Sequence, residues 1–209
     1  RHGMRAAPGA IEKVLIHDGQ IKLQTIENQP PVGLCGSGIL DLIAQMRKAG
    51  ILNNRGALTG PGFESRIQGS GHGKEFVLVP GAENNGMEIT FDRNDVTEIQ
   101  LAKGAMRAGV EILLKKAGIT AQALDKVVIA GAFGTYLDVH SGIEIGMFPR
   151  LERDRFLQVG NAAGAGARMA LLSKQVRAQA IQVAQKVSYV ELSSEASFSG
   201  TFARSLLLE

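Results

Sequence analysis

Cysteine is nearly missing from this chain: Cys35 is the one cysteine in 209 residues. That excludes an intrachain disulfide, and it excludes a cysteine-ligated metal or iron–sulfur cluster held by these residues alone. Long apolar runs are missing as well. Nothing approaches the roughly 18 consecutive apolar residues of a membrane span, and no signal-peptide pattern opens the chain, so no membrane partner is expected and a cytoplasmic setting is. Charge of one sign never accumulates. Lys and Arg number 23 against 20 Asp and Glu, for a net charge of +3. The pI near 9.1 therefore reflects a small excess, and no nucleic-acid partner is expected. The four histidines, His2, His17, His72 and His140, have no metal-ligand spacing and read as surface or loop residues. Neither G-x-x-x-x-G-K-[ST] nor a G-x-G-x-x-G opening a Rossmann unit occurs.

What the chain does have is glycine placed where strands end. Val127-Val128-Ile129-Ala130 runs into Gly131-Ala132-Phe133-Gly134, and Phe156-Leu157-Gln158-Val159 runs into Gly160-Asn161-Ala162-Ala163-Gly164. In open α/β sheets, ligands bind outside the carboxyl ends of strands. Glycine there lets backbone N–H groups approach a phosphate or a base, and a following helix N-terminus adds positive potential. A third loop, Gly33-Leu34-Cys35-Gly36-Ser37-Gly38, opens another helix in the same manner. Together the three turns point to a nucleotide site; any one alone is equally well explained by close packing of helix on strand.

The pattern along the chain predicts an α/β protein of ordinary composition, 44% hydrophobic and 21% charged. Strands at 13–16 and 21–26 flank an Asp18-Gly19 hairpin turn. A helix over 37–49 is closed by Gly50. Residues 53–94 form a glycine-rich loop followed by a second hairpin, 75–79 with 87–91, and read as an insertion. A long helix starts at Asp95, with Glu98 completing a capping box, and ends at Gly118. Its apolar stripe is Leu101, Ala105, Ala108 and Ile112. Then come strand 126–130, a short helix near 141–145, strand 155–159, helices 162–172 and 174–185, strand 187–192, and an amphipathic helix bearing Phe198, Phe202 and Leu206. Asp138 is expected to cap the short helix, and Cys35 to be a small buried hydrophobe. Arg1–Ala10 reads as a loop interior, so residues 1–209 are expected to be a piece of a longer protein.

The strand–glycine turns resemble the second half of the actin-like ATPases, the group of sugar kinases, acetate kinases and heat-shock chaperone ATPases. Within it, Arg1–Ile11, Gly33–Asp41, Asp95–Gly109, Val127–Asp138 and Val159–Leu172 look like the C-terminal region of the reductive activators of corrinoid proteins. The resemblance implies an actin-like ATPase (ribonuclease H-like) lobe with a mixed sheet, flanking helices and the β-hairpin insertion. It implies that the full-length protein uses ATP and Mg²⁺ to drive Co(II) to Co(I) on a corrinoid protein, or corrinoid iron–sulfur protein, of a methyltransferase system. An iron–sulfur cluster and the first phosphate loop are expected upstream of Arg1, and relatives imply a homodimer. The isolated fragment is expected to be inactive.

By the same resemblance, Gly131, Ala132, Phe133 and Gly134 match the adenosine turn. Gly36, Ser37 and Gly38 match the turn before a connecting helix, where N–H groups and a hydroxyl meet phosphate or Mg²⁺-bound water. Glu98 and Lys103 lie on a helix that runs beside the nucleotide, Lys103 meeting ribose or adenine, although charges on such a helix also suit a solvent face. Gly160, Asn161 and Gly164 match a second connecting motif, in which helix packing serves as well as ligand contact. Two other readings stay open: a small-molecule kinase of the same superfamily, for which no catalytic carboxylate is identified, and a regulatory or scaffold domain that has lost its nucleotide.

Overall fold

A computed structural model describes the backbone of residues 1–209 and all side chains except those of His72, Ala132 and Phe133. The chain opens with an antiparallel hairpin, β1 (Ala10–His17) and β2 (Gln20–Thr25), turned at Asp18-Gly19. The short β3 (Gly33–Leu34) adds in parallel to the start of β1. Helix α1 (Gly36–Lys48) follows and lies on the hairpin. Alternation along β1 buries Ala10, Ile11, Val14 and Ile16 against Leu40, Ile43 and Met46 of α1. This is the centre of a single apolar cluster that also takes in the second sheet and residues 137–156.

The second sheet is β4 (Ile67–Gln68), β5 (Glu75–Val79) and β6 (Ile89–Asp92), all antiparallel, so the glycine-rich 53–94 stretch is a sheet with long connections. Helix α2 (Arg93–Ala117) begins one turn earlier than the pattern predicts. Its capping box is Asp92 with Asp95, each carboxylate accepting from the other's backbone N–H, and Gly118 closes it in the left-handed region at φ 68°. The expected stripe is also rotated. Leu101 and Ala105 are exposed, while Val96, Gln100, Lys103, Gly104, Ala108 and Ile112 are buried. The reason is tertiary: α2 packs on the last helix, α7 (Phe198–Ser205), and on the tail after it, which polar Gln100 and Lys103 hold.

The third sheet decides where a ligand can go. β7 (Val127–Ala130) and β8 (Phe156–Gly160) pair in parallel. Between them lie α3 (Ala132–Tyr136) and α4 (Val139–Glu144), the latter capped by Asp138, whose carboxylate accepts from the Ser141 N–H at 2.9 Å. β8 leads into α5 (Ala162–Leu172) and α6 (Lys174–Lys186), which pack on each other. The strand predicted at 187–192 does not form. Val187 and Tyr189 are exposed, no strand among the described residues pairs with this segment, and a 3-10 turn at Leu192–Ser194 takes its place. No helix among the described residues is long and apolar enough to cross a membrane.

Helix α1 sits so close to β1 that Gly38 has no room for a side chain: a Cβ there would collide with the Ile11 carbonyl. Gly38→Ala in the full-length protein should therefore lower stability by about 1–3 kcal/mol, the usual cost of overpacking, in urea denaturation. Unchanged stability would mean that α1 can lift from β1 without loss.

Candidate functional site

β7 and β8 run in the same direction, and Ala130 pairs with Gly160, so both strands end at one edge of their sheet. The Gly131 N–H donates to the Gly160 carbonyl at 2.7 Å and locks the two turns side by side. Gly131 has φ +106° and Gly160 φ +62°, conformations that disfavour any residue with a Cβ. Among the described residues, its chain neighbours aside, nothing lies within 4 Å of where a Gly131 Cβ would project. Gly160 is also open apart from the Thr135 hydroxyl at 3.5 Å from its would-be Cβ.

Their neighbours are less free. Gly134 turns α3 back onto β7, and its would-be Cβ meets Ile129 Cγ2 at 2.5 Å. Asn161 caps α5, its side-chain oxygen accepting from the Gly164 N–H at 2.9 Å, and a Cβ on Gly164 would strike that same side chain. Gly134, Asn161 and Gly164 thus shape the turns from behind. The side chains of Ala132 and Phe133, expected at the adenosine turn, lie outside the described residues.

The third glycine loop lines a cavity that the end of α3 also lines, and neither Gly131 nor Gly160 is among its lining residues. Cys35, Gly36 and Ser37 at the start of α1 line a cavity of about 490 Å³ together with Arg5, Glu12 and Tyr136, the last residue of α3. Arg5 contributes positive charge and Glu12 negative. The Ser37 hydroxyl is buried and lies 3.2 Å from Cys35 Sγ, itself 3.3 Å from the Ile11 carbonyl. Cys35 is buried, as expected of a small hydrophobe. Gly38 faces away from this cavity, into β1.

The two α2 residues do not join that group. Glu98 lines a separate cavity of about 190 Å³ with His2, Thr90 and Asp95. Lys103 is 1% exposed and its ammonium donates to the Leu207 carbonyl. Around it Gln100 donates to the Leu206 carbonyl at 2.8 Å, and Glu209 bridges Arg107 at 3.5 Å and Arg150 at 3.1 Å. This polar clasp on the C-terminal segment was not legible in the sequence, because nothing in the Leu206–Glu209 stretch signals which helix will take its carbonyls.

A second feature missed by pattern reading lies at the other end of α1. Asp41 accepts from the Ser141 hydroxyl at 2.6 Å and from the Val14 N–H at 3.4 Å, and Gln45 accepts from the Ile16 N–H at 3.1 Å. Burial holds the Asp41 carboxyl above its ordinary value; the two hydrogen bonds oppose that shift and nearby Asp138 adds to it. A cavity of about 420 Å³ opens here, with Lys13, Lys22 and His140 at its rim. Among the described residues no cluster of three metal-ligating side chains forms.

Parallel strands that end together in paired glycine turns, flanked by helices, agree with the resemblance to the actin-like ATPase class of folds. The sequence model of the C-terminal domain of RACo, the ASKHA domain, matches residues 1–209, and the chain belongs to that family. It is 36% identical, over 96% of its length, to the corrinoid activation enzyme RamQ of Eubacterium limosum. It is 27% identical, over 89% of its length, to a [Co(II) methylated amine-specific corrinoid protein] reductase of Methanosarcina barkeri. A solved reductive activator for corrinoid, iron-sulfur protein superposes on all of it with TM-score 0.89 and 38% identity. The chain covers 35% of each of the two relatives and 34% of the solved chain, about a third of their length.

Desolvation pushes the Lys103 ammonium down to about 8; Glu209 opposes this and Arg107 adds to it. A lysine held below its unfolded value of 10.5 favours the folded state where it is neutral there but still protonated in the unfolded chain. Stability from this residue should therefore rise with pH between about 8 and 10.5 and be level below 8, where both states hold the proton. In the full-length protein, Lys103→Met should flatten the stability profile across that window, measured by denaturant titrations at stepped pH. An unchanged profile would mean Lys103 is not buried in this way.

Proposed function

We propose that residues 1–209 form the adenosine-gripping part of a corrinoid reductive activator. In the whole protein, closure on Mg-ATP would favour the complex with a corrinoid protein in which an electron passes to cobalt, taking Co(II) to Co(I). The observation that carries this reading is the pair of parallel strands ending together at Gly131 and Gly160, with no other described residue within 4 Å of a Gly131 Cβ apart from its chain neighbours. A flat base can approach a backbone that carries no Cβ, and the carboxyl edge of a parallel sheet is where α/β folds hold nucleotides. Family membership and the names of the relatives support the corrinoid partner.

Gly131 is assigned the close approach to base or ribose, with Gly134 fixing the turn. Gly36 and Ser37, which line a cavity together with Tyr136, are assigned to the phosphate side, where the N-terminus of the 13-residue α1 adds positive potential. Lys103 and Gly38 are assigned structural roles, in the tail clasp and the α1–β1 contact, and Glu98 a place outside the nucleotide cavity. The electron-carrying cluster would be held outside these residues, because one buried cysteine cannot ligate it. ATP supplies the driving force in this scheme: a ligand that binds one conformation of a protein better than another shifts the balance toward it by that difference in affinity.

Gly131→Val in the full-length protein tests the assignment. At about 100 times its dissociation constant, ATP should stabilise the parent by about 2.7 kcal/mol. Without nucleotide the variant should melt below the parent, because valine is disfavoured at φ +106°, and it should also lose most of the ATP-induced shift, because two methyls would enter the space before the turn. ATP-stimulated corrinoid reduction should fall in parallel. A variant that keeps the full ATP-induced shift would remove Gly131 from the nucleotide site.

A further inference from the structure

Strand β1 is irregular at the point where it meets α1. Ile11 pairs with Thr25 of β2 and Lys13 with the adjacent Gln24, so Glu12 is one residue too many on its strand, a β-bulge. A bulge leaves the extra residue out of the ladder and re-aims its side chain, and such irregularities gather beside active sites. Ala10, Ile11 and Val14 around it are buried, whereas Glu12 is half-buried and lines the cavity of about 490 Å³ with Arg5, Cys35, Gly36 and Ser37. Its Cα also lies 3.3 Å from where a Gly38 Cβ would project, so the bulge touches the first turn of α1.

A carboxylate at the start of a helix usually serves to cap it. Glu12 is used differently: the Gln24 side-chain amide donates to its Oε1 at 2.8 Å, and Cys35 at the N-cap of α1 makes no side-chain bond to the first turn. Gln24 is neutral, so it orients the carboxylate without cancelling its charge. A negative group beside a triphosphate is repelled by it and weakens binding unless something carrying a proton or a positive charge lies between them. Water hydrogen-bonded to the carboxylate meets that condition.

We infer that Glu12 is the catalytic carboxylate of ATP hydrolysis in this cavity, an inference that rests on the reading above, in which the Cys35–Ser37 end of α1 faces the phosphates. Glu12 accepts a hydrogen bond from the attacking water and takes its proton. The water oxygen bonds to the γ-phosphorus while the bond from that phosphorus to the β,γ-bridging oxygen breaks. The proton passes from Glu12 to solvent, and ADP and inorganic phosphate leave, with no redox change. Arg5, at the same cavity, offsets the negative charge that the carboxylate adds.

In the full-length protein, Glu12→Gln keeps the shape of the side chain and can still accept from Gln24. Its ATP-induced rise in melting temperature should match the parent's, while single-turnover ATP hydrolysis should fall about 100-fold or more, the usual contribution of a general base. In Glu12→Ala, added formate should raise hydrolysis about tenfold and leave the parent unchanged, which a purely structural role for the bulge would not produce. Hydrolysis by Glu12→Gln at the parent's rate would overturn the proposal, as would a folded Glu12→Ala that does not respond to formate. So would loss of the ATP-induced shift in step with the rate, which would make Glu12 a binding group or a holder of Mg²⁺ and not the base. A parent that shows no ATP-induced shift would remove the nucleotide reading itself and the role of Glu12 with it, whereas failure at Glu12 alone leaves that reading standing.

Discussion

The contact of α1 with β1 is the constraint on which the other elements depend. A strand edge leaves N–H groups that water or a partner must satisfy, and β1 solves this with side chains. Asp41 accepts from Val14 and Gln45 from Ile16, while the backbone N–H of Cys35 reaches the Ile11 carbonyl at 3.1 Å. The helix can do this only because Gly38 lets its first turn touch the strand. Asp41 also accepts from Ser141, so α4, and with it the chain that follows the Gly131 turn, is tied to the same helix. One helix therefore sets the distance between the Cys35–Ser37 loop at its start and the turn after β7.

Tolerating a half-buried carboxylate is the cost of that arrangement. Burial raises the Asp41 pKa, and the two donated hydrogen bonds recover part of what desolvation takes. Replacing the aspartate with an apolar residue would leave the Ser141 hydroxyl and the Val14 N–H unpaired near the core, the more damaging outcome for a buried polar group. The polar pair is thus a connector between two helices first and a charge second.

At the other end of the molecule, α2 works by the same rule with different chemistry. Its buried face includes Gln100, Lys103 and Gly104, and Gln100 and Lys103 donate to carbonyls of the segment that follows α7. Gly104 lets Ser205 and Leu206 approach, the polar groups satisfy the backbone there, and Leu208 enters the core beside them. Helix α2 is in this way shared between the tail clasp on one side and an apolar groove along β7 on another.

The sequence by itself determined the elements whose signals are local. Asp18-Gly19 marked the first hairpin, the spacing of Ile39, Leu40, Ile43 and Met46 marked α1, Gly118 ended α2, and Asp138 capped α4, because turns, caps and periodicity act over a few residues. It also located the two strand-end glycine turns, since φ values such as +106° and +62° are open to glycine and to few others. Tertiary structure alone decided which face of α2 is buried, because Leu101 and Lys103 exchange their expected roles once a distant tail presents carbonyls to that helix. It decided that residues 187–191 form no strand, since a strand exists only where another offers it a ladder. It decided, too, that Lys103 and Glu98 stand apart from the cavity shared by Ser37 and Tyr136: helix phase says which residues share a stripe, and only packing says what that stripe meets.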